Sequence, residues 1–351
     1  MSLELDRAAV DQQNVRFETG SIPKPAVWRS SIMRVLVIGA TGHIGSYLVP
    51  RLVQGGHTVV AVARHPQPQY ADARLGWSEV EWVLADRTDG ESDGTWPQRM
   101  AKIKADVVMD LLCFSPEQNQ QMYEAFKDRT GHFIHCGTVW AYGPPEKVPY
   151  EEHFARKPIT QYGVDKAKIE EFLLHKYREE GFPATVIHPG HISGRKWLPI
   201  DPQGTRDGVK VYERLATGQE VCLPEMGLAR LHHVHGDDVA QLFELAMTRR
   251  EAALGQSFSA VAPYAMTLVG CCNSVAALFG RKPNLKFLPI DRYREAVGEK
   301  NCAITLEHVS HSPCASIEKG RRLLGYSPRY TTEQIYRECI EYLLEQGRLA
   351  I

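Results

Sequence analysis

The sequence predicts an α/β fold built on a doubly wound parallel sheet. Three observations lead there. Short β-branched runs alternate with stretches of helical spacing from Met33 to about residue 190. The first run ends in a glycine-rich turn, and the composition is that of an ordinary globular chain. With 351 residues the chain can bury a sizeable core as one large domain or two smaller ones. Apolar residues at 43% and charged residues at 24% exclude a mostly disordered chain, a collagen-like repeat and a small disulfide scaffold. Lysine plus arginine (41) nearly balance aspartate plus glutamate (42), so no broad field draws the chain to nucleic acid or an anionic membrane. No apolar run is long enough to span a bilayer. The eight cysteines form no C-x-x-C pair and read as reduced thiols of a cytoplasmic protein, without a zinc framework.

Residues 1–32 read as an acidic, linker-like extension with no apolar segment of the secretory kind. From Met33 the elements follow in order. Arg34–Ile38 is a β-branched run closed by glycine, hence a buried strand; 43–54 carries apolar residues at 44, 48, 49 and 52, which is helical spacing. Thr58–Ala63, Glu81–Leu84, 107–112, 132–135 and 184–188 are the further strands, with helices at 95–104, 116–129 and 161–180 between them. This alternation implies right-handed crossovers and helices on both faces of the sheet. Beyond residue 190 the rhythm weakens, and helices are expected at 207–216, 238–249, 266–280, 316–324 and 332–346. Asp238 with Gln241, and Thr331 with Gln334, have capping-box spacing, and Gly325 stops the 316–324 helix.

The turn Gly39-Ala40-Thr41-Gly42-His43-Ile44-Gly45 follows a strand and opens a helix. Its first glycine permits the tight turn, its second lets the backbone approach a pyrophosphate, and its third lets helix pack on strand. Gly39, Thr41, Gly42, His43, Ile44 and Gly45 are therefore candidate dinucleotide-binding residues. The end of the second strand, about twenty residues on, holds Ala63 and then Arg64 rather than a carboxylate. A guanidinium there pairs with a 2′-phosphate, so NADP(H) is expected over NAD(H), with NAD(H) possible. Asp86, after the third strand, is a candidate acceptor for the adenine amino group, or a loop cap. Leu112, at the exit of the fourth strand, is expected to line the nicotinamide side, with Cys113 as a packing residue.

Tyr162 and Lys166 stand four apart on one helix face. A lysine cation favours the phenolate, so Tyr162 can move a proton at a carbinol oxygen while hydride passes to a nicotinamide. Thr138, at the end of the fifth strand, can polarise the same oxygen.

GATGHIG (39–45), HCGTVWAYG (135–143), YGVDK (162–166), HPGHISG (188–194) and HHVHGDDVA (232–240) together resemble the extended short-chain dehydrogenase/reductases of the NAD-dependent epimerase/dehydratase type. The resemblance extends from residue 33 to about 346. It implies a Rossmann-type domain over 33–190, to which 230–260 returns, and a smaller C-terminal substrate-binding lobe from 191–229 and 261–346. It further implies Thr138 and Tyr162 as catalytic hydroxyls, Lys166 as a second contact of the nicotinamide ribose, and a homodimer through helices 116–129 and 161–180.

Departures from the family pattern bear on substrate. Val139-Trp140 replace the Asp-Glu pair of 4,6-dehydratases, which disfavours dehydration. His191 stands where sugar-nucleotide epimerases carry Asn, Arg230 is one position off the family arginine, and no second phosphate-gripping arginine is evident over 305–311. His188 is a candidate nicotinamide-side contact. Trp140, His191 and His235 are candidate substrate contacts, with Tyr142 and Trp197 as further pocket walls. His232, His233 and His235 with Asp237 and Asp238 lack a closed ligand set, so no metal is expected. The expected activity is hydride transfer at a carbinol or ketone carbon of a sugar or sugar nucleotide. Competing readings are NADPH-dependent reduction of a non-nucleotide ketone or aldehyde, and a non-catalytic NAD(P)-sensing or RNA-associated protein.

Overall fold

Alternation along the first strand decides the layering. In β1 (Arg34–Ile38), Val35 and Val37 point into one apolar layer and Leu36 and Ile38 into the other, and all four are fully buried. The computed structural model describes residues 32–68, 76–206, 209–349 and 351. The extension expected over 1–32 lies outside the described residues apart from Ile32.

After β1 come α1 (Gly45–Gln54), β2 (Thr58–Ala63), β3 (Glu81–Leu84), α2 (Arg87–Ser92), α3 (Trp96–Ala101), β4 (Val107–Asp110), α4 (Pro116–Phe126), β5 (His132–Cys136), α5 (Gln161–Glu180) and β6 (Ala184–Pro189). The chain continues through β7 (His191–Ser193), α6 (Lys210–Thr217), β8 (Glu220–Pro224), β9 (Arg230–Leu231), β10 (His233–His235), α7 (Gly236–Thr248), α8 (Arg250–Ala253) and β11 (Gln256–Ala260). It ends with β12 (Met266–Thr267), α9 (Leu268–Leu278), β13 (Asn284–Leu288), α10 (Ile290–Val297), α11 (Glu299–His311), α12 (Glu318–Leu324) and α13 (Thr332–Glu345).

The principal sheet has seven strands in the order β11-β6-β5-β4-β1-β2-β3, all parallel. Its strand order reverses between β1 and β4, so a crevice opens above the carboxyl ends of those two strands. This is a Rossmann-type doubly wound sheet. Helices α3, α4 and α5 contribute Met100, Met122, Phe126, Ile169 and Leu173 to one covering layer; α1 and α7 contribute Leu48, Leu52, Leu242 and Phe243 to the other. A third apolar cluster joins α6, α9 and α13 around Tyr212, Cys272 and Tyr336, next to the parallel pair β8–β13.

One short pairing positions the site. β7 and β10 run parallel with His191 opposite His233 and Ser193 opposite His235, so the two histidine-bearing motifs meet. Strands β7, β8, β9, β11, β12 and β13, and helices α2, α8, α10 and α11, are absent from the sequence expectation. They are short or weakly amphipathic and owe their form to tertiary packing. Asp238 is not a helix cap. His235 caps α7, accepting the N–H of Asp237, while Asp238 accepts the N–H groups of Arg329 and Tyr330. Gln241 likewise bonds the backbone of Ser327, so both residues of that expected capping box pin the segment leading into α13. The Thr331–Gln334 capping box is formed. All eight cysteines are free, and among the described residues no helix is long and apolar enough to cross a membrane.

Candidate functional site

The glycine turn occupies one wall of the crevice. Gly39 has φ +86°, a conformation that side-chain-bearing residues rarely adopt, and a Cβ there would lie 2.8 Å from Leu112 Cγ. Leu112, 37% exposed, thus closes over the turn from the exit of β4. At Gly45 a Cβ would meet the Ala40 carbonyl oxygen at 2.3 Å, so only glycine lets α1 sit this close to the turn. Helix α1 starts without a side-chain cap or an acidic residue in its first turn. Its positive end is left for an outside anion, and the cradle fits a dinucleotide pyrophosphate. Thr41 and Gly42 are half-buried at the crevice, whereas Ile44 joins the core. The His43 ring stacks on Trp197 at 5.5 Å, and burial pushes its pKa down to about 3.

Arg64 leaves the end of β2 73% exposed, with Asp86 3.9 Å away. Asp86 also caps α2 by accepting the Thr88 N–H at 2.8 Å, the loop-capping role. The opposite wall is stiffened by buried Arg87, whose guanidinium bonds both oxygens of Asp110 at 3.0 and 3.1 Å. Asp110 in turn accepts the Leu112 N–H at 3.1 Å.

Thr138, Tyr162 and Lys166 converge between these walls. The N–H of Trp140 donates to Thr138 Oγ1 at 3.2 Å, fixing the hydroxyl at the start of a short 3-10 turn over Val139–Tyr142. Tyr162 is 39% exposed, and its phenol hydrogen-bonds the Thr138 side chain. Desolvation pushes that phenol up to about 12, and the Thr138 bond opposes the rise. Lys166 is buried and donates to the carbonyls of Cys113 and Cys136, both at 2.6 Å, bridging the exits of β4 and β5. Its ammonium lies 5.9 Å from the centre of the Tyr162 ring and 5.1 Å from that of Phe114. Burial lowers the Lys166 pKa. Cys113 is a buried packing residue whose thiol burial pushes up to about 12.

His188 is fully buried one layer behind Thr138 and offers no face to the crevice. Its Nδ1 lies 3.1 Å from the Thr138 nitrogen and its Nε2 3.0 Å from Glu170 Oε1. Glu170 is held on its other side by the forked guanidinium of Arg156. Sequence reasoning missed Glu170. The signal was its spacing, four residues after Lys166 on the same helix face.

On the far side of Trp140 stands a group of imidazoles. The indole stacks on His311 with centroids 4.1 Å apart, and His308 and His191 lie edge-on at 5.7 and 6.1 Å. Trp140 also meets the Tyr162 ring at 6.2 Å, which ties this wall to the hydroxyl pair. Burial drives His191 well below its ordinary value, His308 down to about 4, and His311 down as well. The wall is therefore neutral near pH 7. His191 Nε2 and His311 Nε2 are buried with no hydrogen-bond partner among the described residues. His308 and His311 belong to the 305–311 run that lacks a phosphate-gripping arginine, and their i,i+3 spacing puts both on this side of α11.

His235 does not join this wall. It stacks on Tyr330 at 3.8 Å and bonds Glu338 at 2.8 Å, beneath α13, rather than turning to Trp140. Its neighbours also go separate ways. His232 serves Ala262 and Ala315, and Asp237 pairs with Arg51 and Arg329. Among the described residues no group of three or more His, Cys, Asp or Glu side chains is arranged to hold a metal.

Comparison with known proteins agrees with this architecture. The chain is 29% identical to a 2′-dehydrokanamycin reductase of Streptomyces kanamyceticus over 219 residues, 62% of this chain and 59% of that protein. It is 25% identical to a 3-beta-hydroxysteroid dehydrogenase of Mycolicibacterium neoaurum, covering 90% of this chain and 92% of the relative. The fold matches a UDP-glucose 4-epimerase of Thermotoga maritima with TM-score 0.66 and 22% identity, over 90% of this chain and all of the other. The family model of the NAD dependent epimerase/dehydratase family matches residues 35–260, well over half the chain. A parallel seven-stranded sheet, a glycine cradle at its switch point and a match of that extent agree: the chain belongs to the NAD dependent epimerase/dehydratase family.

Proposed function

We propose that the protein is an NAD(P)-dependent oxidoreductase or epimerase that transfers hydride at a carbinol or ketone carbon of a sugar or related hydroxylated ring. The observation that carries this reading is the hydrogen-bonded pair Thr138–Tyr162 beside the anchored Lys166 ammonium, in the crevice that the glycine turn faces. A nicotinamide coenzyme supplies the hydride acceptor or donor. Gly39, Thr41, Gly42 and Gly45 hold its pyrophosphate through main-chain groups and the α1 dipole. Thr138 bonds the substrate oxygen, Tyr162 gives or takes its proton, and the Lys166 charge favours the phenolate. Val139 is buried and Trp140 is committed to ring contacts, so no titratable side chain follows Thr138 to run a dehydration.

NADP(H) is the preferred coenzyme in this reading, with NAD(H) accepted more weakly. The exposed Arg64 guanidinium at the end of β2, where a carboxylate would repel a phosphate, supports it. A second reading, reduction of a non-nucleotide ketone or aldehyde by NADPH, is favoured by the neutral wall of His191, His308 and His311. Neutral imidazoles hydrogen-bond hydroxyls but balance no diphosphate charge.

The test uses the full chain with NADPH or NADH and two substrate sets, free sugars and ketones against UDP- and dTDP-sugars. Net absorbance change at 340 nm marks redox turnover, and isomer exchange without it marks epimerisation. Absence of both across the panel, with no coenzyme binding, would defeat the reading. The homodimer through helices 116–129 and 161–180 remains part of the proposal. The outward residues of α4 and α5 include Gln120, Glu124, Lys168 and Glu171, all exposed, so association through this face is expected to be weak. Sedimentation velocity across a concentration series checks it.

A further inference from the structure

We propose that Glu170 and His188 form a positioning pair that fixes the main chain of Thr138 against Tyr162, so that α5 carries three members of the working site rather than two. The inference rests on the hydride-transfer reading and goes beyond it, because both residues act from behind the crevice.

The chain of contacts is continuous and buried. Arg156 grips Glu170 with Nε at 2.7 Å and with Nη2. Glu170 Oε1 lies 3.0 Å from His188 Nε2. His188 Nδ1 lies 3.1 Å from the nitrogen and 3.0 Å from the carbonyl oxygen of Thr138. The ring presses on the strand exit itself, since a Cβ on Gly137 would come within 2.6 Å of Nδ1. A carboxylate only accepts, so Glu170 requires a proton on Nε2. With Nε2 protonated, Nδ1 serves the Thr138 main chain, accepting its N–H in the neutral ring or donating to its carbonyl oxygen in the imidazolium. The carboxylate, through the ring, sets the orientation of the residue whose hydroxyl meets Tyr162. Metal-bound histidines are oriented by outer carboxylates in the same way.

The electrostatics agree with a carboxylate that stays ionised. Burial would raise the Glu170 pKa, but the His188 ring and Arg156 outweigh it and hold the carboxyl well below its usual range. The other titratable or charged groups around the pair are Tyr142, whose ring meets His188 at 5.5 Å, His135 of β5, Lys166 of α5, Glu152 and Lys319. The placement of Glu170 follows from helix geometry. Residues 162, 166 and 170 recur at four-residue spacing on one face, the first two toward the crevice and the third beneath it.

The experiment takes the full chain as Glu170→Gln and His188→Gln and measures kcat, the NADPH dissociation constant and the pH profile of hydride transfer. Loss of kcat on the order of 10- to 100-fold is expected, with NADPH affinity held within about twofold, one pKa unit being a tenfold change. The basic limb assigned to Tyr162 is expected to move to higher pH, because a displaced Thr138 no longer lowers the phenol. A folded variant with unchanged kcat and an unmoved limb would overturn the pair, and so would a kcat loss that follows melting temperature while the limb stays fixed. Should both variants fail to fold, nitrogen-15 NMR of the histidine-labelled wild-type chain decides. A proton on His188 Nε2 supports the pair and a bare Nε2 overturns it. This last measurement needs no turnover, so it separates failure of the pair from failure of the hydride-transfer reading.

Discussion

The glycine turn and the histidine wall belong to one site and are made of different material. The turn consists of seven consecutive residues whose offer to a ligand is main-chain geometry, with Gly39 at φ +86° and no room for a Cβ at Gly45. The wall consists of side chains from three separate stretches: Trp140 after β5, His191 in β7, and His308 and His311 in α11. Backbone donors keep their dipoles at every pH. Desolvated imidazoles keep theirs only while they stay neutral. The main-chain cradle is therefore insensitive to acidity and intolerant of substitution, and the imidazole wall is the reverse.

The largest expected effect falls between the two sides. Tyr162→Phe should lower kcat on the order of 10²- to 10⁴-fold and leave NADPH binding intact, as read by nicotinamide fluorescence quenching and steady-state rates. Thr138→Ala should act in the same direction and raise the pH at which the phenol ionises, since the hydrogen bond that opposes the desolvation shift is gone.

Acid should act on the buried imidazoles next. His43, His132, His232, His233 and His308 are pushed down to between about 3 and about 4, and His135 and His191 are lowered well below 6.5. Between those values and 6.5 the unfolded chain binds protons that the folded chain refuses, so unfolding free energy rises with pH through that window and is fully developed above it. Each such ring contributes a slope of up to about 1.4 kcal/mol per pH unit. Urea titrations at pH 7, 6 and 5 should show a steep loss of stability on acidification; a flat profile would contradict the burial of these rings.

Gly45→Ala tests the intolerance of the turn. The added methyl meets the Ala40 carbonyl at 2.3 Å, which should cost about 1–3 kcal/mol of stability and weaken coenzyme binding through the displaced end of α1. His311→Phe, which keeps a ring against Trp140 but removes both nitrogens, should raise KM several-fold and leave kcat nearly unchanged, on the order of 1 kcal/mol of lost hydrogen bonding. Arg64→Ala should be the mildest. It should weaken NADPH by about tenfold, the worth of one exposed charge-assisted contact, and leave NADH as it was.

The same contrast explains what the amino-acid sequence reveals. β1, the turn and α1 are legible because strand, loop and helix are contiguous and each glycine answers a local steric demand. Tyr162 and Lys166 are legible because four-residue spacing on a helix is a local rule. The histidine wall is legible only at Trp140 and His191, since His308 approaches His191 only through the packing of α11, and α11 has no strong pattern of its own. His188 and His235 illustrate the opposite failure. Both lie in motifs beside the crevice, yet the rings turn to Glu170 and Glu338, which stand on helices remote from those motifs in the chain. Asp238 has the sequence context of a cap and serves instead as an anchor for backbone ninety residues later.

Lys166 ties the chemistry to the sheet. Because its ammonium is shared between carbonyls at the ends of two adjacent strands, it works as a caliper: any loosening that spreads β4 from β5 withdraws the charge from the phenol before either strand is lost. Heat or denaturant should therefore extinguish turnover at a gentler dose than the one that abolishes the circular dichroism of the strands, and a cross-link across that gap should bring the two thresholds together.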